Sequence, residues 1–350
     1  MKNYNAVVIG CGNIGCQLEK YNPGFITSHL VSYLKNPKIT LVAVCDINME
    51  KAQSTAEEYH LKAYSNIKQM LKETEPDIVS VCTPDETHYP ILKEITEYET
   101  VKGVWCEKPI AISMEEASNM VELCQEHNIK LLINHLRRYD SFYLALRDNM
   151  NRLLGDIQSV VCYYSGGIST VGSHIIDLLN FYFGKCISIR AKTSMIESNF
   201  NVELLYEHNN KLIVVNMVPC NNEFFSIMEL NIMGTKARLD TIYKPFGDYD
   251  YRYYPTRKSR VGINYISEQK KIEFDGMERN FFENALQDLI DSIEKDKTPF
   301  SSGNTAIHTI EILSAIVYSA NNNGFEVKLP FKETNLIIPR ALGDIGKWKN

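Results

Sequence analysis

The stretch "NAVVIGCGNIG", residues 5–15, decides the fold. Its first half is a continuous run of apolar and β-branched residues, the pattern of a strand buried on both faces. Its second half places Gly10, Gly12 and Gly15 in GxGxxG spacing directly after that strand. Gly10 allows the tight turn, Gly12 lets a pyrophosphate approach the backbone, and Gly15 lets the next helix pack on the strand. Asn13 and Ile14 complete the turn, where the N–H groups opening the helix are available to phosphates. The spacing alone is weak. Strand, turn and helix together predict a dinucleotide site.

A second buried strand, "ITLVAVCD" (39–46), ends in Asp46. A carboxylate there accepts hydrogen bonds from ribose hydroxyls and repels a 2′-phosphate, and no arginine follows in "DINMEK". NAD is therefore expected over NADP. The acid comes later than the usual ~20 residues after the glycines. The segment "EKYNPGFITSH" (19–29) accounts for the delay: Pro23 and Gly24 break the first helix, and Thr27 or Ser28 can cap a second one. This insertion reads either as part of a substrate wall or as a plain surface loop.

Further along, "DIVSVCTP" (77–84), "GVWCEKP" (103–109) and "KLLIN" (130–134) read as strands, alternating with helical patterns over 48–59, 85–98 and 113–127. Asn48, Asp85 and Ser113 are the expected N-caps, with Ser113 and Glu116 spaced as a capping box. The alternation predicts an α/β Rossmann domain over 1–135, a parallel doubly wound sheet. Beyond it, "RRYDSFYLALRDNMNRLLG" (137–155) reads as one long inter-domain helix, about 137–154. "DIQSVVCYY", a helix within 165–184, five more strand-like segments and helices near 279–295 and 303–322 follow. These predict a second, α+β domain over 136–350 with a largely antiparallel, open-faced sheet. "GDYDYRYYPTRKSRVG" (247–262) is too polar and aromatic for a core strand and reads as a loop.

Composition narrows the function classes. The chain has 350 residues, long enough for two cores, and is 44% hydrophobic and 23% charged. A net charge of -6 without a basic block argues against nucleic acid. No apolar run approaches the ~18 residues of a membrane span. "MKNYNAVVIGCG" leaves no room for a signal peptide before the first strand, so a cytoplasmic protein is expected. Nine scattered cysteines without a CxxC pair predict packing thiols, with no disulfide framework and no metal site.

Two constellations carry chemistry. "CEKP" presents Lys108 just past a parallel strand, at the carboxyl edge where such sheets bind ligands. Pro109 removes helical conformations from Lys108 and so fixes the backbone that presents its amine. A lysine beside a cationic nicotinamide releases its proton more readily and can exchange it with a substrate hydroxyl. In "SGGISTVGSHIIDLLNFYFG" (165–184), His174 and Asp177 stand three apart at a helix start and share a face. His174 reads either as a substrate ligand or as a capping or packing histidine.

The ordered set "IGCGNIG", "VCTPDETH", "CEKP", "RRY", "GSHIID", "MELNIMGTKARL" and "VKLP" resembles the Gfo/Idh/MocA family, named for glucose–fructose oxidoreductase and inositol dehydrogenase, over nearly the whole chain. The resemblance implies hydride transfer between nicotinamide and a sugar-like carbon. It maps proton transfer to Lys108, a hydroxyl contact to His174 and the later acid of the GxHxxD motif to Asp177. It also implies that Thr83, Pro84 and His88, with Glu107, Lys108 and Pro109, line the cofactor, and that Arg138 faces substrate. One position departs: many family dehydrogenases carry an aspartate four residues before the histidine, where this chain has Thr170. A threonine exchanges hydrogen bonds but supplies no charge.

The wording "GISTVGSHIIDLL", with the 19–29 insertion and the tyrosine-rich segment 249–254, resembles a polysaccharide-biosynthesis subgroup. A nucleotide-linked sugar or sugar acid is the leading substrate class, and Arg252, Arg257, Lys258 and Arg260 could meet a diphosphate. The alternatives are a non-catalytic NAD-binding regulator, or an NAD-dependent lyase or hydrolase using transient oxidation. The family also implies a homo-oligomer, dimer or tetramer, through the open sheet face.

Overall fold

The apolar runs of the first part form parallel strands: β1 (Tyr4–Ile9), β2 (Ile39–Cys45), β3 (Lys62–Tyr64), β4 (Ile78–Val81), β5 (Gly103–Cys106) and β6 (Lys130–Ile133), side by side in the order β3-β2-β1-β4-β5-β6. This is a computed structural model, and it describes residues 3–21, 25–196, 198–242, 250–270, 272 and 280–340. The strand order reverses between β1 and β4, the switch point outside whose carboxyl ends ligands bind in doubly wound sheets. Crossovers run through α1 (His29–Lys35), α2 (Met49–Tyr59), α3 (Ile67–Thr74), α4 (His88–Ile95) and α5 (Met114–Glu126).

Asn48 caps α2 by accepting the N–H groups of Glu50 and Lys51, and Ser113 caps α5 by accepting that of Glu116 at 3.2 Å. Asp85 does not cap α4. It opens a 3₁₀ turn, Asp85–Thr87, that precedes the helix. The glycine turn leads into a π-helical turn, Asn13–Gln17, and a 3₁₀ turn, Leu18–Lys20, in place of the expected α-helix. Pro23 and Gly24 lie outside the described residues. Glu19 Oε1 accepts the Thr27 N–H at 2.9 Å across the inserted segment, and Ser28 caps α1 through the Val31 N–H.

The second sheet is built from β7 (Ile157–Tyr164), β8 (Lys185–Thr193), β9 (Phe200–His208), β10 (Lys211–Pro219), β11 (Met228–Gly234), β12 (Ala237–Ile242), β13 (Asp250–Lys258), β14 (Asn264–Ile266) and β15 (Val327–Lys328). Its order is β14-β13-β12-β11-β7-β10-β9-β8-β15, antiparallel except for the parallel pair β10–β7. Residues 250–258, expected as loop, are strand. Ala237–Ile242 offers them a ladder from Ala237↔Pro255 to Ile242↔Asp250, and cross-strand pairing outweighs their polar composition. Residues 243–249 lie outside the described ones.

The expected helix over 137–155 is two pieces, a 3₁₀ turn at Leu136–Tyr139 and α6 (Ser141–Leu154). Asp140 between them is extended (φ -85°, ψ 126°), and the Tyr139 carbonyl is taken by Asn284 Nδ2 at 3.1 Å, so the first turn cannot run on. α7 (Ser173–Phe183) follows β7. α8 (Phe281–Glu294) and α9 (Gly303–Asn321) come from the last quarter of the chain.

α8 packs with the first sheet. Phe282, Leu286, Leu289 and Ile290 are buried in one cluster with Tyr4, Ile78 and Trp105. Gly103 permits the close approach, since a Cβ there would stand 2.9 Å from Ile293 Cδ1 and 3.2 Å from Leu289 Cδ1. The chain accordingly divides into Met1–Asp140 with Glu278–Ile307, and Ser141–Met277 with His308–Asn350. The stretch 278–307 thus sits with the first unit, although the sequence placed it in the 136–350 domain. Among the described residues no helix is long and apolar enough to cross a membrane, and no group of side chains could hold a metal ion.

Candidate functional site

At the switch point, the three glycines separate by role. Gly10 has φ +100°, and a Cβ on it would lie 2.5 Å from the Cys82 carbonyl oxygen. One on Gly15 would lie 2.1 Å from the Gly10 oxygen, whereas one on Gly12 would meet nothing within 4 Å. Gly10 and Gly15 are therefore required by packing, and Gly12 leaves open space beside the turn. That space, flanked by Asn13 and Ile14, is the cradle a pyrophosphate would fill.

Asp46, half-buried, accepts the Cys11 N–H on Oδ2 at 2.8 Å and the Asn48 N–H on Oδ1 at 2.9 Å. It ties the end of β2 to the glycine turn. Cys11, Cys16, Cys45 and Cys82 pack under the turn as free, buried thiols. The Cys11 contact and then burial push the Cys16 thiol well up, and burial does the same to Cys82, so neither is a nucleophile.

The loops after β4 and β5 are joined by His88. Its buried ring sets Nε2 2.9 Å from the Thr83 carbonyl oxygen, and Nδ1 3.0 and 3.2 Å from those of Pro109 and Ile110. Thr87 Oγ1 donates to the Pro84 carbonyl at 2.6 Å and lies 2.7 Å from Thr83 Oγ1, steadying the Thr83–Pro84 loop. The Lys108–Pro109 peptide is cis, and Lys108 is half-buried. Arg138 is buried in the 3₁₀ turn after β6.

Glu107 turns its carboxylate into the protein. Oε1 accepts from Asn134 Nδ2 at 2.5 Å and lies 3.2 Å from His29 Nε2, while Oε2 accepts the Lys108 N–H at 3.2 Å. Burial raises this carboxyl, but the His29 hydrogen bond and charge, the Lys108 charge and Asn134 together outweigh burial and leave it below the ordinary carboxylate range. His29 and Asn134 were passed over in the sequence. The available signal was a histidine directly after the helix cap Ser28.

In the second unit, Thr170 lies in a π-helical turn, Ile168–Gly172, that runs directly into α7. Thr170, His174 and Asp177 thus follow one another at helical spacing. Ser173 Oγ donates to the Thr170 carbonyl at 3.0 Å at the junction. His174 and Thr170 are half-buried and Asp177 is buried. Of the tyrosines in 249–254, Tyr251 stacks on Phe142 (5.1 Å between centroids), Tyr253 donates to the Leu153 carbonyl and Tyr254 lies under Arg238. These three are committed to packing within their own unit.

Residues 4–135 match the NAD-binding Rossmann domain of the Gfo/Idh/MocA oxidoreductases, and residues 160–329 match that family's C-terminal alpha/beta domain. The chain belongs to the Gfo/Idh/MocA family. Its glycine turn and Asp46 fall within that NAD-binding domain. Among curated Gfo/Idh/MocA relatives, the chain is 32% identical over 131 residues to the D-glucoside 3-dehydrogenase of Escherichia coli K12, covering 37% of each chain. It is 24% identical over 231 residues to the glucose-6-phosphate 3-dehydrogenase of Bacillus subtilis, covering 59% of this chain and 63% of that one. Its first three curated matches span only 37 to 38% of the relatives' length. In fold it resembles the WlbA dehydrogenase of Bordetella pertussis, solved with NADH and UDP-GlcNAcA, at TM-score 0.72 and 19% identity, over 95% of this chain and 100% of that one.

Proposed function

We propose that this protein is an NAD-dependent dehydrogenase acting on a hydroxyl carbon of a sugar, sugar acid or nucleotide-linked sugar. One observation carries the reading. The loop bearing Lys108 leaves the same carboxyl edge of the sheet as the open cradle at Gly12, and His88 ties it to the Thr83 loop between them. Gly10, Gly12, Asn13, Ile14 and Gly15 would hold the pyrophosphate and Asp46 the ribose. Thr83, Pro84, His88, Glu107, Lys108 and Pro109 form or support the nicotinamide wall. Asp46 favours NAD over NADP by repelling a 2′-phosphate.

Bound NAD would supply the hydride acceptor. Lys108 takes the proton from the substrate hydroxyl as that carbon is oxidised, and returns it in reverse. His174 orients the hydroxyl, with Asp177 one turn on, and Arg138 and Thr170 contact substrate. The mechanism requires Lys108 and His174 to meet on one hydroxyl. Thr170 favours a second reading, an NAD-binding regulator without turnover, since it supplies no charge to His174. An NAD-dependent lyase or hydrolase would form product without consuming NAD.

The partners proposed are a small sugar-like molecule and further copies of this chain, with no nucleic acid or membrane. Nine free cysteines suit a reducing compartment, so the proposed location is the cytoplasm. The test is reduction of NAD with a panel of UDP-sugars and free sugars, followed at the reduced-nicotinamide absorbance band.

A further inference from the structure

Behind Lys108 runs a buried chain of polar groups. Tyr33 Oη lies 2.6 Å from Ser80 Oγ, Ser80 Oγ lies 2.9 Å from His29 Nδ1, and His29 Nε2 lies 3.2 Å from Glu107 Oε1. His29, Tyr33 and Ser80 have no solvent exposure, and His29 packs on Trp105 at 4.0 Å between ring centroids. A carboxylate only accepts, so His29 Nε2 donates to Glu107. Burial pushes the Tyr33 phenol far up, so it stays protonated, and its bond with the Ser80 hydroxyl can run in either direction. His29 Nδ1 is held against that same hydroxyl, and each buried hydroxyl and ring nitrogen of the chain has a partner. Serine, histidine and glutamate also make up hydrolytic triads, but Ser80 is fully buried in mid-strand and its hydroxyl is already bonded to the Tyr33 phenol.

The chain ends on the residue that holds Lys108. With Oε1 engaged by His29 and Asn134, Oε2 is left to accept the Lys108 N–H. We propose that His29 is a positioning residue for Lys108: its donation to Glu107 fixes the carboxylate's rotation and so holds the lysine backbone. This rests on reading Lys108 as the proton-transfer residue. It also gives the inserted segment a task, because the insertion ends at His29, which follows the cap Ser28 and reaches Glu107 just past β5.

Acetylation of Lys108 by sulfo-N-hydroxysuccinimidyl acetate, followed by mass spectrometry of the peptide carrying it, reads the amine without any substrate. In His29→Leu the carboxylate loses one anchor and turns, the Lys108 backbone loses its fixed acceptor, and the acetylation rate is expected to shift at least about fivefold, the scale of one hydrogen bond. His29→Gln can still donate to Glu107 and is expected to stay within about twofold of wild type, a rescue that a packing role alone would not give. NADH affinity, read by fluorescence, is expected to hold in both. A wild-type rate in His29→Leu, or a rate in His29→Gln displaced as far as in His29→Leu, would overturn the proposal. Should His29→Leu fail to fold, His29→Asn, whose shorter amide falls short of Glu107, is expected to shift the rate in the same way, and a wild-type rate there would overturn the proposal. Neither readout involves a sugar, so absence of turnover would count against the proposed function and leave this result standing.

Discussion

Asp46 Oδ2 accepts the backbone N–H of Cys11 at 2.8 Å, so the acid that ends β2 also braces the glycine turn beside Gly10. Replacing it removes the turn contact and, on the proposed function, the ribose contact. Asp46→Ala is expected to weaken NADH binding at least about tenfold, as loss of hydrogen bonds to a charged group would, and to bring NADPH affinity closer to that of NADH. Fluorescence titration with both cofactors checks this; an unchanged preference would remove Asp46 from the ribose site.

The glycines should separate stability from binding. Gly12→Ala places a methyl in open space at an ordinary backbone (φ -76°), so its melting temperature should match wild type while NADH affinity falls. Gly10→Ala and Gly15→Ala drive a Cβ into carbonyl oxygens at 2.5 and 2.1 Å. They should each lose about 2–4 kcal/mol, or fail to fold. Urea unfolding beside NADH titration distinguishes the cases, and a destabilised Gly12→Ala would contradict the cradle.

Glu107 carries a pH signature. Burial raises its carboxyl, yet His29, Lys108 and Asn134 hold it below the ordinary range. A carboxylate depressed in the folded state adds stability above its unfolded range, and that stability is lost as pH falls through the folded value. Glu107→Gln should therefore melt lower than wild type near neutrality, with the gap closing as pH falls from the ordinary carboxylate range through the lower folded value. A gap constant over that range would mean that the Glu107 carboxyl is not depressed in the fold.

Alternation along β10 turns Ile213, Val215 and Met217 inward and leaves Leu212 and Val214 outward, 61% and 38% exposed. Tyr163 of the adjoining β7 is also exposed. Covering this strip by a second copy is the proposed basis of oligomerisation. Light scattering should return a dimer or tetramer for wild type and a monomer for Leu212→Glu with Val214→Glu. A monomeric wild type would sink the idea.

What could be read in advance follows from distance along the chain. Buried strands of four or more residues with capped helices between them, such as β1, β2 and α5, show their period locally, and the NAD-binding Rossmann half was legible from them. The three-residue β3 is too short to carry a period, and α3 behind it was missed with it. β13 reads as loop because its pairing with β12 is tertiary. α8 is plainly amphipathic, but nothing local tells that its apolar face belongs beside Trp105, about half the chain away. Asp46 and the glycines announce their setting through the strands they follow. His29 does not, because the residues that give it meaning, Ser80 and Glu107, stand 51 and 78 positions on.

The central claim is that Lys108 moves the proton in a hydride-transfer reaction. It is tested most directly by comparing wild type with Lys108→Ala for NADH binding and for NAD reduction across UDP-sugars and free sugars. The account predicts NADH affinity within about twofold in the two proteins, and turnover with one sugar class in wild type that falls at least about a hundredfold in the variant. Undiminished turnover in Lys108→Ala would contradict it.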